Sequence, residues 1–347
     1  MKKKLLALAL TMSMVLGMGT TAFAAKNDNY TDYLDQEPVI PKTYVIENGT
    51  APAETFTYTF EGVSYVNGDG ETVADADIPA IDDVTISFGA ISTTTSKDVE
   101  VDIDADDYAL GVYTYKVTEV TPTTKTTGVT YSEEELYLVL TILRDESSDK
   151  HYVGAMHYES ATGEDKETGF TNHYDAGSLT VTKEITGNMA DMNKKFNFTI
   201  TFNTPEGESA NSAITVTKGT MSYTQIINKD SLTVRVALGH GESISFTNIP
   251  EGVTYTVSED AENYTQKEKD LNGNDVNIGT VNGAISGTTY SDEGTATFEA
   301  DTVKYVNDLT EGVDTGIIVN NLPYILILAA VVFSAVVIIR RKRYSAM

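Results

Sequence analysis

A lysine, a carboxylic acid and an asparagine occur twice along this chain in the same order: Lys42, Glu119 and Asn172, then Lys183, Glu259 and Asn307. Lysine to glutamate spans 119−42 = 77 residues in the first set and 259−183 = 76 in the second; glutamate to asparagine spans 172−119 = 53 and 307−259 = 48. Brought together in a dry core, these three groups can form a covalent side-chain crosslink. Desolvation lowers the pKa of a buried lysine and raises that of a buried carboxyl, so the amine can be neutral and the acid protonated near neutral pH. The neutral amine is then a nucleophile, and the asparagine side-chain carbonyl is its electrophile. The expected role of Glu119 and Glu259 is to hydrogen-bond that carbonyl, stabilise the developing oxyanion and pass protons to the departing ammonia. The product is an intramolecular Lys-Asn isopeptide bond, a single self-reaction. Turnover of an external substrate is not expected, so the chain is not read as an enzyme.

The elements that must position these groups are strands, in which residues two apart share a face. Ile40, Lys42, Tyr44 and Ile46 share one, as do Leu179, Val181, Lys183 and Ile185. Tyr113, Tyr115, Val117 and Glu119 align, and so do Val253, Tyr255, Val257 and Glu259. Phe170, Asn172 and Tyr174 match Tyr305, Asn307 and Leu309. A lone lysine or glutamate on an apolar face is often a rim residue whose stem is buried and whose head reaches water. Six such positions in two registered sets point instead to groups that meet, because buried charges are costly unless paired or neutralised. Each bond would tie the first strand of its domain to the last, so that a pull on the ends loads a covalent link. By analogy with disulfides, closing so long a loop stabilises by on the order of 4 kcal/mol or more on the chain-entropy model.

From about residue 37 to Leu309 the texture is all β. Alternating runs rich in Thr, Val, Tyr and Ile are broken by turn signals such as Asn67-Gly68-Asp69-Gly70, Asn272-Gly273-Asn274-Asp275 and Asn282-Gly283. Many short strands at this spacing predict sandwiches. No long amphipathic helical pattern occurs, and Leu136 to Leu143 is a strand-like run. The length of 347 residues leaves room for two domains, and the predicted junction lies near Tyr174 to Ser178. So short a linker predicts domains set end to end with limited freedom.

Residues 1–25 have a basic start (Lys2, Lys3, Lys4), an apolar stretch and the small-residue site Ala22-Phe23-Ala24, the layout of a secretory signal peptide. Leu322 to Ile339 is an uncharged, mostly apolar run followed by Arg340, Arg341, Lys342 and Arg343, the pattern of a membrane span with a cytoplasmic basic tail. Export normally brings disulfides, yet the chain has no cysteine, so any covalent bracing must come from other chemistry. Between the two ends, 24−7 = 17 basic residues face 51 acidic ones, a net of −34 against −27 for the whole chain. Such a surface repels nucleic acid and anionic lipid.

Other chemistries fit poorly. An EF-hand loop opened by Asp102 would place Asp107 at the glycine position and Tyr113 at the final glutamate, and the alternation Val99, Val101, Ile103, Ala105 predicts a half-buried strand instead. His151, His157, His173 and His240 lack metal-ligand spacing, and no glycine-rich phosphate loop opens a helix. Neither a metal nor a cofactor is expected.

The stretches GVYTYKVTE ending at Glu119, GFTNHYDAGSLTVTKEITG from Gly169 to Gly187, and GESISFTNIPEGVTYTVSED from Gly241 to Asp260 resemble the two-domain major backbone pilins of Gram-positive bacteria, the streptococcal shaft type with self-formed isopeptide bonds. The resemblance covers essentially the whole chain. It implies two tandem immunoglobulin-like (CnaB-like) β-sandwiches, at 36–175 and 176–310, between the signal peptide and a sorting tail at 311–347. It also implies a sortase partner that cuts a short motif before the tail, here Val313, Asp314, Thr315 and Gly316, with Thr315 the acyl donor. The family usually has proline where this chain has Asp314. The threonine is joined to a lysine of the next copy of the chain, and Lys166 is the nearest equivalent of the family's acceptor, with Lys150 in reserve. A lysine on an acidic, solvated surface is the plainer reading of either.

The implied product is a head-to-tail polymer of this chain, a cell-wall-anchored pilus with tip or base accessory pilins as further partners, held in the membrane only before sorting. A sortase-anchored monomeric adhesin or accessory pilin is the alternative; it needs Thr315 but no acceptor lysine. A secreted enzyme on a sandwich scaffold would need a polar cluster beyond the two triads, and fold alone does not decide among these classes.

Overall fold

The computed structural model describes residues 38–74, 76–146, 149–160, 169–290, 296–298 and 300–310. The predicted signal segment, Lys166, the Val313–Gly316 motif and the apolar run from Leu322 to Ile339 lie outside the described residues. Among the described residues no helix is long and apolar enough to cross a membrane.

The amino-terminal half contributes β1 (Val39–Ile46), β2 (Glu54–Asn67), β3 (Val84–Phe88), β4 (Thr95–Glu100), β5 (Gly111–Glu119), β6 (Lys125–Thr126), β7 (Val129–Thr130), β8 (Glu135–Arg144), β9 (His151–Ser160) and β10 (Phe170–Tyr174). One sheet runs β4-β1-β10-β7 and the facing sheet runs β3-β2-β5-β8-β9. Strict alternation puts Ile40, Tyr44, Phe170 and Tyr174 of the first sheet against Tyr115, Val117, Leu138 and Leu140 of the second, and these residues form one buried cluster. Edge-to-face rings fill its centre, with Tyr44 5.3 Å from Phe56 and 5.6 Å from Phe88.

The second half repeats the plan with β11 (Ala176–Thr186), β12 (Phe196–Asn203), β13 (Glu208–Ser209), β14 (Ser212–Lys218), β15 (Met221–Ile227), β16 (Ser231–Leu238), β17 (Ser243–Pro250), β18 (Thr254–Asp260), β19 (Thr265–Gln266), β20 (Thr280–Ala284), β21 (Thr289–Tyr290), β22 (Ala296–Thr297) and β23 (Asp301–Asp308). Its sheets are β15-β14-β17-β11-β23-β19 and β16-β12-β18-β20, with a separate cluster of Leu179, Val181, Phe198, Val257, Val303 and Tyr305 between them. Both halves are β-sandwiches, with two sheets closed over one apolar core.

The register of the first and last strands matters most for chemistry. β1 and β10 are parallel neighbours with Lys42 opposite Phe170 and Tyr44 opposite Asn172. β11 and β23 are also parallel neighbours, with Lys183 opposite Tyr305 and Ile185 opposite Asn307. In each half, therefore, the asparagine lies two residues beyond the partner of the lysine, on the same inward face. The glutamates come from β5 and β18, in the facing sheets.

One residue, Asp175, separates β10 from β11, and the junction is closed by hydrogen bonds. Asp175 N–H donates to Gly128 O at 3.0 Å, and its carboxylate accepts from Ala176 N at 2.8 Å and Thr288 N at 2.5 Å. Asn48 Nδ2 donates to Ala176 O at 2.6 Å, while Thr50 N donates to Asn248 Oδ1 at 2.6 Å. β6 and β13 pair in parallel across the boundary. Gly49 sits at φ +87°, and a Cβ there would lie 2.3 Å from Asn248 Oδ1, so only glycine admits this approach.

Two local expectations are corrected. Asn282-Gly283 is not a turn but lies within β20, opposite Thr256 and Tyr255. Glycine makes room there for the Tyr255 ring, which covers the strand; a Cβ would meet its hydroxyl at 2.4 Å. The run from Val99 to Ala105 keeps its inward alternation, yet the strand stops at Glu100. Asp104 accepts from Asp106 N and caps the 3₁₀ turn Ala105–Asp107, which competes with further sheet pairing.

Candidate functional site

Each triad is assembled beneath its sheets. In the first, Lys42 and Asn172 are fully buried and Glu119 is 4% exposed. Lys42 Nζ donates to Glu119 Oε2 at 2.7 Å and Asn172 Nδ2 donates to Glu119 Oε1 at 2.5 Å. Asn172 Oδ1 accepts from the backbone N–H of Ser132 at 2.8 Å. Since a backbone N–H can only donate, this bond fixes which end of the amide is oxygen. The carboxylate therefore faces the amide nitrogen. Sequence reasoning aimed it at the carbonyl, and here that oxygen is held by a main-chain donor that no side-chain pattern announces.

In the second triad, Lys183 Nζ lies 2.9 Å from Glu259 Oε1, with both side chains inaccessible to solvent. The ammonium is not aligned to donate to that oxygen, which also accepts from Asn307 Nδ2 at 3.0 Å. The other oxygen, Oε2, accepts from Gln266 Nε2 at 2.8 Å. Gly279 N–H donates to Gln266 Oε1 at 2.7 Å, so the glutamine amide is also oriented. Asn307 Oδ1 is buried without a hydrogen-bond partner among the described residues.

Electrostatics follow from depth. Burial pulls the Lys42 ammonium down to about 8, against the opposing pull of Glu119. Burial lowers Lys183 in the same sense, again opposed by Glu259. An aromatic face supports each ammonium: Phe56 lies 4.3 Å from Lys42 Nζ and Phe196 lies 4.7 Å from Lys183 Nζ. Two residues beyond each phenylalanine, Tyr58 pairs across the sheet with Glu119 and Phe198 pairs with Glu259. Burial and the neighbouring Glu119 push the Tyr58 hydroxyl up, which keeps it un-ionised.

The aromatic pair had a signal in the sequence. Phe56-Thr57-Tyr58 and Phe196-Asn197-Phe198 follow their lysines by 56−42 = 14 and 196−183 = 13 residues, a second repeat in step with the first. Ser132 and Gln266 had none. Ser132 acts through its backbone, and Gln266 has no counterpart at the same distance from Glu119.

The remaining predicted groups are placed elsewhere. Lys150 is exposed in the β8–β9 hairpin. The histidine rings make local contacts: His151 Nδ1 with Tyr108 O, His173 Nδ1 with Glu47, and His240 Nδ1 accepting from Ile185 N.

This geometry defines a tandem-sandwich protein with a lysine, a carboxylate and an asparagine buried together in each half. Residues 40–175 match the Spy0128-like isopeptide containing domain, and residues 177–309 match a domain of unknown function, DUF7601. A pilin of Streptococcus pyogenes serotype M1 is 28% identical over 306 residues, covering 86% of this chain and 88% of the relative. The crystal structure of the major pilin from Streptococcus pyogenes is similar at 24% identity and a TM-score of 0.49, over 80% of this chain and 100% of that one. A second major pilin of the same species, T3.2, is similar at 18% identity and a TM-score of 0.47, over 80% and 99%. The chain is a homologue of a Streptococcus pyogenes pilin, and its first sandwich matches the Spy0128-like isopeptide containing domain.

Proposed function

We propose that this chain is the repeating shaft subunit of a covalently polymerised cell-surface pilus, with each sandwich, 36–175 and 176–310, braced by a self-formed bond. The bonds join Lys42 to Asn172 and Lys183 to Asn307, with Glu119 and Glu259 moving the protons. The observation that carries this is the recurrence of one diagonal: in both halves the lysine and asparagine sit two residues out of register on parallel first and last strands, over a carboxylate from the facing sheet. Parallel end strands are loaded in shear when the termini are pulled, and a crosslink between them carries that load in place of the hydrogen bonds.

The similarity to a streptococcal pilin supports a sortase route of assembly. A sortase cleaves at Val313-Asp314-Thr315-Gly316 and transfers Thr315 to Lys166 of the next copy, while residues 1–25 direct export and residues 311–347 hold the chain in the membrane until sorting. Accessory pilins at tip or base are the remaining partners.

The intact mass of the chain tests the bracing. A deficit of two ammonia molecules is expected; the full calculated mass would overturn both crosslinks. Polymer ladders test the assembly: Lys166→Ala is expected to abolish them in cells while monomers still fold, and persisting ladders would move the acceptor to another lysine.

A further inference from the structure

Amine attack on an amide places negative charge on the carbonyl oxygen before the nitrogen leaves, so a donor already aimed at that oxygen speeds the step. The first triad has one. Ser132 belongs to the crossing that leaves β7, which pairs with β10 at Thr130–His173 and Val129–Tyr174, and enters β8 in the facing sheet. Continuing the β7–β10 register would put Tyr131 opposite Asn172 and Ser132 opposite Thr171. Instead the chain turns inward, and Ser132 N–H meets Asn172 Oδ1 at 2.8 Å. The crossing is pinned on both sides: Thr126 N–H donates to Tyr131 Oη at 3.1 Å, and Glu134 N–H donates to Ser132 Oγ at 3.3 Å. Ser132 itself is buried.

The second triad lacks the device for a visible reason. β19 pairs with β23 at Thr265–Asp308 and Gln266–Asn307, so Lys267 occupies the place of Ser132. There the pairing continues, and Lys267 N–H donates to Val306 O at 2.9 Å. That donor is consumed by the ladder, and Asn307 Oδ1 is left without one among the described residues.

We propose that the backbone N–H of Ser132 is the oxyanion donor for the Lys42–Asn172 bond, and that the first sandwich therefore closes its crosslink before the second. The proposal rests on the isopeptide chemistry above. In the step, Lys42 passes a proton to Glu119 and Nζ adds to Asn172 Cγ; Oδ1 takes the negative charge against Ser132 N–H. The Cγ–Nδ2 bond then breaks as Glu119 protonates Nδ2, and Glu119 relays a second proton from Nζ to the departing nitrogen. Of the three protons on the lysine ammonium, one stays on the new amide and two leave on the departing nitrogen. Ammonium is released, and Glu119 ends in the protonation state in which it began.

The test replaces the Ser132 amide by an ester, through incorporation of the corresponding α-hydroxy acid during cell-free synthesis of the full chain. Peptide mass spectrometry then follows ammonia loss in each domain with time. The Lys42–Asn172 bond is expected to slow by about 100-fold, the scale of one oxyanion donor, while the Lys183–Asn307 bond in the same molecule keeps its rate. Ser132→Ala, which retains the N–H, is expected to keep the first rate. An unchanged first bond in the ester chain would overturn the proposal. So would an unmodified chain in which the second bond forms first or together with the first, a measurement that needs no altered residue. Absence of both bonds from the unmodified chain would instead remove the isopeptide chemistry itself.

Discussion

In the first sandwich Glu119 gives one oxygen to Lys42 and the other to Asn172, whereas in the second Glu259 crowds Lys183 and Asn307 onto one oxygen and gives the other to Gln266. The strand scaffold beneath them is the same, down to the two-residue diagonal between parallel end strands. What differs is the third element beside the asparagine strand. In the first half it turns away after β7 and spends a backbone donor on the site; in the second it stays in the sheet at β19 and spends a side chain. The reacting trio is thus set by sheet register, while the groups that tune it are set by where a short neighbouring strand ends.

The largest effects come from removing the carboxylates, and they separate the halves. Glu119→Ala is expected to abolish the first bond and leave the second, with Glu259→Ala the converse, each read as a deficit of one ammonia. The affected sandwich loses the loop closure, on the order of 4 kcal/mol on the chain-entropy model, and keeps a buried lysine without its partner. Increased protease sensitivity confined to that half is the second readout. A variant that loses both bonds would mean the halves depend on each other, and the comparison between them would fail.

Acidity sharpens the comparison next. With the Lys42 ammonium pulled down to about 8, Lys42 carries its transferable proton below that pH and loses it above. That proton is the one handed to the departing nitrogen. Formation of the first bond is therefore expected to be level below about pH 8 and to fall by roughly tenfold per unit above it. A rate that rises through pH 8 would assign the barrier to unassisted attack by the neutral amine. Lys183 is lowered in the same direction, so the second bond is expected to slow with rising pH as well.

The sequence made the trio legible because period-two alternation is a strong constraint wherever a sheet face is buried. Six polar residues on apolar faces, spaced alike in two halves, can be buried at tolerable cost only by meeting one another. Strand pairing was less legible: alternation does not say that β1 lies beside β10 or that both run parallel. Asn282-Gly283 misled because Asn-Gly marks a turn in general, while here the glycine makes room for Tyr255. Ser132 was invisible because any residue except proline carries its donor. Gln266 was invisible because its place is fixed by β23 and Gly279, both distant from Glu259 in the chain.

Gln266 is expected to matter only to the second half. Its amide is oriented by Gly279 N–H, so Nε2 faces Glu259 and holds the carboxylate over Lys183 and Asn307. A hydrogen bond to a charged group is worth roughly 1.5–3 kcal/mol. Gln266→Ala is expected to slow the Lys183–Asn307 bond by roughly ten- to a hundredfold, as such an energy implies, with the first bond unaffected. A smaller change in Gln266→Asn than in Gln266→Ala would distinguish orientation of Glu259 from simple loss of bulk.

The smallest effect is expected at the paired aromatic position. Tyr58 and Phe198 occupy equivalent places, each opposite the glutamate of its triad. The Tyr58 hydroxyl is buried and has no hydrogen-bond partner among the described residues. Because an unpaired buried hydroxyl has already lost its water, removing it forfeits no bond and relieves a desolvation penalty. Tyr58→Phe makes the first half like the second at this position, and stability of the first sandwich is expected to stay the same or rise, by less than about 1 kcal/mol. The rate of the Lys42–Asn172 bond is likewise expected to hold, since the oxyanion donor and both oxygens of Glu119 are untouched. Chemical denaturation of Tyr58→Phe in an Asn172→Ala background, where no covalent bond masks unfolding of the first sandwich, measures the first quantity. A loss of more than about 1.5 kcal/mol there would mean that the hydroxyl holds Glu119 in place as Gln266 holds Glu259, and the two halves would then share a tuning device instead of differing in it.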